Sequence, residues 1–251
     1  MPFVEVGGRR IEYAWFGEER RNPPIVMLHE GLGSLAMWKD FPARLAAETD
    51  RRVLAYSRYG YGKSTPLAQP REPSFMHEEA LEALPALLIA LGIEQPILFG
   101  HSDGGSIALI HAGDARFPVA GVVAMAPHLF VEEYSLVSIR RAKVVYETTD
   151  LRERLGRYHD DPDSAFRGWN DVWLDERFKA WNIDADVARI ACPILAIQGR
   201  DDEYGTMEQV DRVGRLRPQA QVVALDACGH SPHRDQPYEV LRLTAAFVRA
   251  L

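Results

Sequence analysis

Long apolar runs and cysteine, two features that anchor or cross-link proteins, are scarce in this sequence. No apolar run approaches the roughly 20 residues that a membrane-spanning helix needs. Only two cysteines occur, Cys192 opening one predicted strand and Cys228 following the end of the next. In a parallel sheet these positions lie at opposite edges, too far apart for a disulfide. We therefore expect two free thiols, as in a cytoplasmic protein, and no membrane span.

An excess of positive charge is also missing. Lysine and arginine total 29 against 36 aspartate and glutamate residues, for a net charge of −7 at pH 7. Nucleic-acid binding needs clustered basic residues, whereas here they are scattered among acids. Residues 1–6 already have a strand-like pattern, which leaves no room for a signal peptide. We expect a small-molecule partner rather than nucleic acid or membrane, in a monomer or a homodimer.

Alternating strand and helix signals occupy most of the chain. With 47% apolar residues, 251 residues can bury one large core. After a first hairpin strand, the predicted strands are 10–16, 25–28, 53–56, 96–99, 119–126, 194–197 and 222–225. The predicted helices include 35–47, 74–91 with a kink at Pro85, and 236–251. Repeated strand–helix units predict an α/β domain with a mostly parallel sheet and helices on both faces.

One segment, residues 127–190, interrupts this alternation. It separates two strands by about twice the length of an ordinary strand–helix–strand connection. Its pattern is helical, and it holds three of the five tryptophans. Trp169 and Trp173 are four residues apart and therefore share a helix face. We expect a helical lid in which at least one of these two side chains lines a pocket, the others packing the lid onto the sheet.

Residues 100–105, Gly-His-Ser-Asp-Gly-Gly, stand between an apolar strand and a helical segment. This pattern fits G-x-S-x-G, a strand-to-helix turn that exposes its serine in a strained conformation. Glycine two residues on either side lets strand and helix approach closely. Ser102 is therefore the candidate nucleophile.

A serine nucleophile needs a histidine to take its proton and a carboxylate to orient that histidine. Candidates follow the last two strands, Asp201 and Asp202 after the first and His230 and His233 after the second. The carboxyl ends of neighbouring strands are where such groups converge in an open α/β sheet. His230 and His233 are also spaced as a metal pair, but no third ligand lies near them in the sequence, so no metal or cofactor is expected.

These motifs together resemble the α/β-hydrolase fold, and the resemblance covers essentially the whole chain. It implies an eight-stranded sheet, with 1–126 and 191–251 as the core and 127–190 as a helical cap after the sixth strand. Family members commonly carry the acid as Gly-x-x-Asp, which falls on Asp202, and the base after a glycine, which falls on His230. His233 would then brace its loop or face solvent.

The resemblance also implies an oxyanion hole, formed by the amide of Asp103 and that of Gly31. This sequence departs from the usual pattern by placing Glu30 where glycine is common. Either the loop conformation differs, or the carboxylate points away and caps a neighbour. Ser57 is a second departure, since relatives often have aspartate there. His128, just after the sixth strand, falls where relatives often line the pocket; otherwise it is a buried hinge residue.

The Asp103 side chain has two interpretations. It can be a carboxylate in the first helical turn, where the helix dipole favours negative charge. The Ser-Asp-Gly-Gly sequence is also similar to that of valacyclovir-hydrolase-like enzymes, in which the equivalent aspartate receives a substrate ammonium. Both interpretations stay open.

The sequence thus predicts a serine hydrolase that cleaves a small carboxylic ester through an acyl-serine. Two alternative functions would use the same three residues, Ser102, His230 and Asp202. One is a C–C bond hydrolase of the meta-cleavage type, and the other is a small-molecule receptor built on the same fold. A serine rather than an aspartate nucleophile argues against dehalogenase or epoxide-hydrolase chemistry.

Overall fold

The N-terminal hairpin lies at one edge of an eight-stranded sheet. The computed structural model describes residues 2–19 and 22–251. Strand β1 (Phe3–Val6) pairs antiparallel with β2 (Arg9–Phe16), and β2 pairs antiparallel with β4 (Val53–Tyr56). Gly7 and Gly8 make the hairpin turn, both with the positive φ that glycine tolerates.

The other strand pairs are all parallel. The remaining strands are β3 (Ile25–Leu28), β5 (Ile97–His101), β6 (Gly121–Met125), β7 (Ile194–Gly199) and β8 (Gln221–Leu225). The spatial order is β1-β2-β4-β3-β5-β6-β7-β8. Strands β3 to β7 are buried along their whole length, because apolar clusters lie on both faces of the sheet. The predicted mostly parallel α/β sheet is confirmed.

The segment after β3 corrects one prediction. Instead of a single helix over 35–47, a 3₁₀ turn spans Leu35–Trp38 and a separate helix α1 spans Phe41–Thr49. Lys39 between them has φ of +54°, which no right-handed helix accommodates. Pro42 sits in the first turn of α1, where its missing N–H costs nothing.

The helical segment 75–90 is irregular before Pro85, where the sequence predicts a kink. Helix α2 (Phe75–Glu78) runs into a wider π-helical turn at Glu79–Ala83, and α3 (Leu84–Ala90) follows. Proline lacks the N–H that a regular turn would use, so the irregular turn lies directly before it.

Four α-helices and a 3₁₀ turn fill the long connection between β6 and β7. The α-helices are α5 (Glu133–Thr148), α6 (Leu151–Leu155), α7 (Pro162–Trp173) and α8 (Asp184–Arg189), and the 3₁₀ turn is Glu176–Ala180. The remaining helices of the core are α4 (Asp103–Ala112), α9 (Glu208–Leu216), α10 (Pro232–Asp235) and α11 (Pro237–Arg249). Aromatic side chains of α7, including Trp173, join the same apolar cluster as α4. Among the described residues no helix is long and apolar enough to cross a membrane.

Candidate active site

Ser102 occupies the turn that joins β5 to α4. Its φ of +54° and ψ of −121° lie in a region that a residue with a side chain rarely adopts. Neighbouring backbone leaves no room for larger residues, since a Cβ on Gly100 would lie 2.2 Å from the carbonyl oxygen of Gly104. A Cβ on Gly104 would lie 2.2 Å from that of Leu28. Close packing of strand and helix thus holds Ser102 in a strained turn.

Three side chains from three strand ends form one hydrogen-bonded chain. His230 Nε2 lies 2.9 Å from Ser102 Oγ, and His230 Nδ1 lies 2.9 Å from each carboxylate oxygen of Asp202. Ser102 follows β5, Asp202 follows β7 and His230 follows β8, so the carboxyl edge of the parallel sheet brings them together. The three residues selected from the sequence are therefore neighbours in the fold.

Asp202, rather than Asp201, takes the position beside His230. Its Oδ1 accepts the backbone N–H groups of Tyr204 at 2.7 Å and Gly205 at 3.1 Å, and its Oδ2 accepts the amide of Gln198 at 2.6 Å. Burial opposes ionisation, but His230 and the backbone N–H of Tyr204 hold the pKa of the Asp202 carboxyl below its usual range. Asp201 is exposed.

His230 is partly buried, and this carboxylate sets its protonation behaviour. Burial alone would lower the pKa of the imidazole, but the Asp202 carboxylate raises it above the ordinary value. With Nδ1 facing the carboxylate, the proton of the neutral ring belongs on Nδ1, which leaves Nε2 as an acceptor. His230 can then take the proton of the Ser102 hydroxyl.

A small pocket of about 120 Å³ opens beside Ser102 and His230, and we call it the Ser102 pocket. Its other lining residues are Glu30, Gly31, Leu32, Asp103, His128, Ile139, Trp169, Trp173 and Tyr204. Trp169 packs directly on Gly31, where a Cβ would lie 2.2 Å from the indole Cδ1. All five predicted substrate-binding residues therefore lie around one cavity, and Leu32, Ile139 and Tyr204 are additions that no sequence signal indicated.

Asp103 is among the residues that line the Ser102 pocket. It is fully buried, and its Oδ1 accepts the indole N–H of Trp173 at 3.1 Å. No hydrogen-bond donor among the described residues reaches Oδ2. Burial raises the pKa of this carboxyl, while Arg58 and the Trp173 indole act in the opposite direction. As the first residue of α4, Asp103 also has a backbone N–H without an acceptor inside the helix.

His128 presents a neutral ring to the same pocket. Its backbone N–H donates to Ser106 Oγ at 2.9 Å, and the Ser106 hydroxyl donates to the His128 carbonyl oxygen at 2.7 Å. The ring stands edge-on to Trp173, with 4.8 Å between centroids. Burial lowers the pKa of His128 to about 3, so the imidazole carries no charge near neutral pH.

The side chains of His233 and Glu30 have partners outside the Ser102 pocket. The His233 ring is buried against Trp38 and Phe41, at centroid distances of 4.8 and 5.6 Å, so it braces its loop and does not face solvent. The Glu30 carboxylate points away from the Ser102 pocket, towards His101 at 3.5 Å and Arg234 at 3.2 Å. The described residues contain no group of three or more His, Cys, Asp or Glu side chains placed to hold a metal ion.

Comparison with known proteins identifies the family. Residues 25–243 match the model of the alpha/beta hydrolase family. The chain is 24% identical to a proline iminopeptidase of Heyndrickxia coagulans, over 99% of this chain and 98% of that one. It is also 24% identical to the sn-1-specific diacylglycerol lipase ABHD11 of Mus musculus, over 90% and 81% of the two chains.

Solved structures agree on the architecture. The enol-lactonase from Burkholderia xenovorans LB400 superposes with a TM-score of 0.77, at 21% identity over 99% of this chain and 100% of that one. A thermophilic esterase from Thermogutta terrifontis superposes with a TM-score of 0.76 at 20% identity, over 99% and 98% of the chains. The chain belongs to the alpha/beta hydrolase family, and it is a hydrolase.

Proposed function

We propose that this hydrolase cleaves small carboxylic esters through an acyl-serine intermediate, with Ser102 as nucleophile, His230 as base and Asp202 as orienting acid. The observation that carries the proposal is the continuous chain of hydrogen bonds from Asp202 through His230 to the Ser102 hydroxyl. That chain ends at a pocket with apolar walls, where a reacting carbonyl could sit.

Acylation follows from this geometry. Ser102 Oγ attacks the ester carbonyl carbon while its proton passes to His230 Nε2, and the carbonyl oxygen becomes an oxyanion. The backbone N–H groups of Asp103 and Gly31 are the proposed oxyanion donors. When the tetrahedral intermediate collapses, the C–O bond to the alcohol breaks, and His230 returns its proton to the departing alkoxide oxygen.

Deacylation repeats these reaction steps with water as the nucleophile. His230 takes a proton from water, the resulting hydroxide attacks the acyl carbon, and a second oxyanion forms. Collapse breaks the bond to Ser102 Oγ, which recovers the proton from His230 and releases the carboxylic acid. Asp202 stays ionised throughout and stabilises the imidazolium that forms twice in each cycle.

The pocket favours short acyl groups. Its volume of about 120 Å³ is well below the 300–1,000 Å³ of pockets for drug-sized ligands. Trp169 and Trp173 of α7 form the wall opposite Gly31 and Asp103. We propose that residues 127–190 act as a lid over Ser102.

A second candidate substrate class has support from Asp103. Its Oδ2 is buried beside the nucleophile and has no donor within the protein, which suits a substrate ammonium. A proline iminopeptidase is among the relatives that match nearly the full chain. Esters or amides whose acyl group carries an ammonium are therefore the second candidate.

A substrate panel tests the proposal. The purified protein is assayed with p-nitrophenyl esters of graded acyl length, and with a meta-cleavage ring product in parallel. We expect the short esters to give the highest kcat/KM, and Ser102→Ala to abolish that turnover. Preference for the ring product would establish the C–C hydrolase instead. Binding without turnover of any substrate would indicate a receptor.

A further inference from the structure

Three groups converge on the backbone carbonyl oxygen of Glu30, in the loop after β3. They are His29 Nδ1 at 2.7 Å, Arg58 Nη2 at 3.1 Å and the backbone N–H of Gly33 at 3.0 Å. A carbonyl oxygen has two lone pairs, so the capacity of this one is fully used. The direction of the Glu30 carbonyl is therefore fixed by its partners.

The N–H of Gly31 belongs to the same planar peptide group. In a trans peptide, the C=O of one residue and the N–H of the next point in opposite directions. The Gly31 N–H therefore points away from His29 and Arg58, and it has no acceptor within the described residues. Gly31 is buried and lines the Ser102 pocket. Whatever holds the Glu30 carbonyl thus also directs a proposed oxyanion donor.

Arg58 acts on this peptide group in two ways. Its Nη2 donates to the carbonyl oxygen of Glu30 and, at 3.4 Å, to that of His29. Its backbone N–H donates to His29 Nε2 at 3.0 Å. Burial lowers the pKa of His29 well below its ordinary value, so the ring is neutral and carries one proton. Because Nε2 accepts, that proton is on Nδ1, which donates to the Glu30 carbonyl oxygen.

Both carbonyl partners of the Arg58 guanidinium belong to the loop that carries Gly31. Arg58 is 1% exposed and is not among the residues that line the Ser102 pocket, so it acts on the reaction through this loop. We propose that Arg58 is a positioning residue for the oxyanion hole, which together with the His29 ring keeps the Gly31 N–H directed at the substrate carbonyl oxygen. The inference rests on the proposed function, in which Gly31 is one of the two oxyanion donors.

Two substitutions of His29 test this proposal. His29→Asn places an amide near the position of Nδ1, where it can still donate to Glu30, whereas His29→Gln places its amide near the position of Nε2. We expect kcat for the best short ester to be about tenfold lower in His29→Gln than in His29→Asn, with similar KM, because oxyanion donors act on rate. Both variants lose the ring, so equal losses of kcat would overturn the proposal.

Arg58→Met removes the guanidinium and keeps the backbone N–H that binds His29. We expect kcat to fall about 10- to 100-fold with little change in KM. A second route from Arg58 to the site exists, since burial raises the pKa of the Asp103 carboxyl and Arg58 opposes that rise. The substitution is therefore repeated in an Asp103→Asn background. A loss of kcat that persists there supports the proposal, and a loss that disappears would overturn it.

Binding of trifluoromethyl ethyl ketone reports the oxyanion hole without turnover. Ser102 Oγ adds to the ketone carbon, the Ser102 proton passes to His230 Nε2, and the carbonyl oxygen becomes an alkoxide. We expect about tenfold weaker binding of the ketone by His29→Gln and Arg58→Met, because the alkoxide loses a well-directed donor. The matched secondary alcohol forms no alkoxide and should bind equally to all variants. Equal weakening of ketone and alcohol would overturn the proposal.

His111→Gln is the matched control. The His111 ring is also buried, and its Nδ1 lies 2.8 Å from the Ala80 carbonyl oxygen, but it belongs to the last turn of α4, away from Ser102. Its kcat and its affinity for the ketone should equal those of the wild type. Near-ultraviolet circular dichroism checks that every variant is folded.

Failure of the proposed function gives a different result from failure of this inference. A wild-type protein that neither cleaves short esters nor binds the ketone would refute the proposed function, and the positioning role with it. A wild-type protein that does both, with His29→Gln and Arg58→Met indistinguishable from His111→Gln, would refute the positioning role alone.

Discussion

The Glu30 carboxylate lies 3.5 Å from Nδ1 of His101, an electrostatic contact longer than a well-formed hydrogen bond. On the other side of the His101 ring, Nε2 lies 2.7 Å from the backbone carbonyl oxygen of His230. Arg234 reaches the same Glu30 carboxylate at 3.2 Å. Glu30 therefore connects the loop after β3 to the loop that carries His230. Although burial opposes ionisation, the contact with His101 holds the pKa of Glu30 well below its usual range.

Glu30→Gln is expected to loosen this connection, because the carboxylate contacts His101 and Arg234. We expect kcat to fall about 10- to 100-fold with little change in KM, because small displacements of catalytic groups cost rate rather than binding. Steady-state kinetics on the best short ester measures both constants. Glu239→Gln, which breaks an exposed pair with Arg242, is the control and should leave kcat unchanged. A Glu30→Gln enzyme that loses only thermal stability would assign Glu30 a purely structural role.

The two adjacent aspartates are expected to differ sharply. Asp202→Asn removes the carboxylate that fixes the His230 tautomer, and a loss of about 10⁴-fold in kcat is the precedent from serine proteases. Asp201→Asn alters an exposed side chain and should change kcat less than about twofold. Both variants are assayed side by side with the same ester. The reverse order of effects would show that the proposed acid is misassigned.

The role of Asp103 is expected to appear as a change in substrate preference. Its buried Oδ2 beside the Ser102 pocket should favour an acyl group that carries an ammonium. Asp103→Asn should therefore lower the ratio of kcat/KM for an aminoacyl ester to that for a matched neutral ester. The variant retains a polar group of the same size beside Trp173, so neutral-ester turnover should remain. An unchanged ratio would mean that Asp103 does not select the substrate and acts only as a carboxylate in the first turn of α4.

The pH dependence of kcat/KM is expected to follow the protonation of the His230 ring. The ring must be neutral to accept the Ser102 proton, and the Asp202 carboxylate raises its pKa above the ordinary value of 6.5. Activity should therefore be full at alkaline pH and fall as pH drops through a value above 6.5. Measurement of kcat/KM from about pH 5 to about pH 9 locates this limb. An acid limb well below 6.5 would contradict the coupling between His230 and Asp202.

Short-range patterns were sufficient to predict the sheet and the serine turn, whereas the resemblance to the family selected Asp202 and His230, which the fold places in a hydrogen-bonded chain with Ser102. A buried parallel strand is a continuous apolar run, and the polar residues directly after it must lie at the carboxyl edge. The strand-to-helix turn around Ser102 is likewise a local feature, since glycines at 100 and 104 allow the close contact between β5 and α4.

Contacts between distant segments were not predictable in this way. The partners Glu30 and Arg234 are 204 positions apart, and no periodicity connects them. The interruption of the helix at Lys39 was not predictable either, because the apolar spacing of residues 35–47 matches a single helix. The positive φ of Lys39 does not alter that spacing. Arg58 has the pattern of a loop residue in the sequence, yet the fold buries it, and its guanidinium donates to the carbonyl oxygen of Glu30 in the loop after β3.

The most direct test of the account is active-site labelling with a fluorophosphonate. We predict one label per chain, which peptide mapping places on Ser102, and no labelling of Ser102→Ala under the same conditions. His230→Ala should retain the serine but label far more slowly, because the hydroxyl then lacks its base. Labelling that persists in Ser102→Ala, or that maps to another residue, would contradict the assignment of Ser102 as the nucleophile.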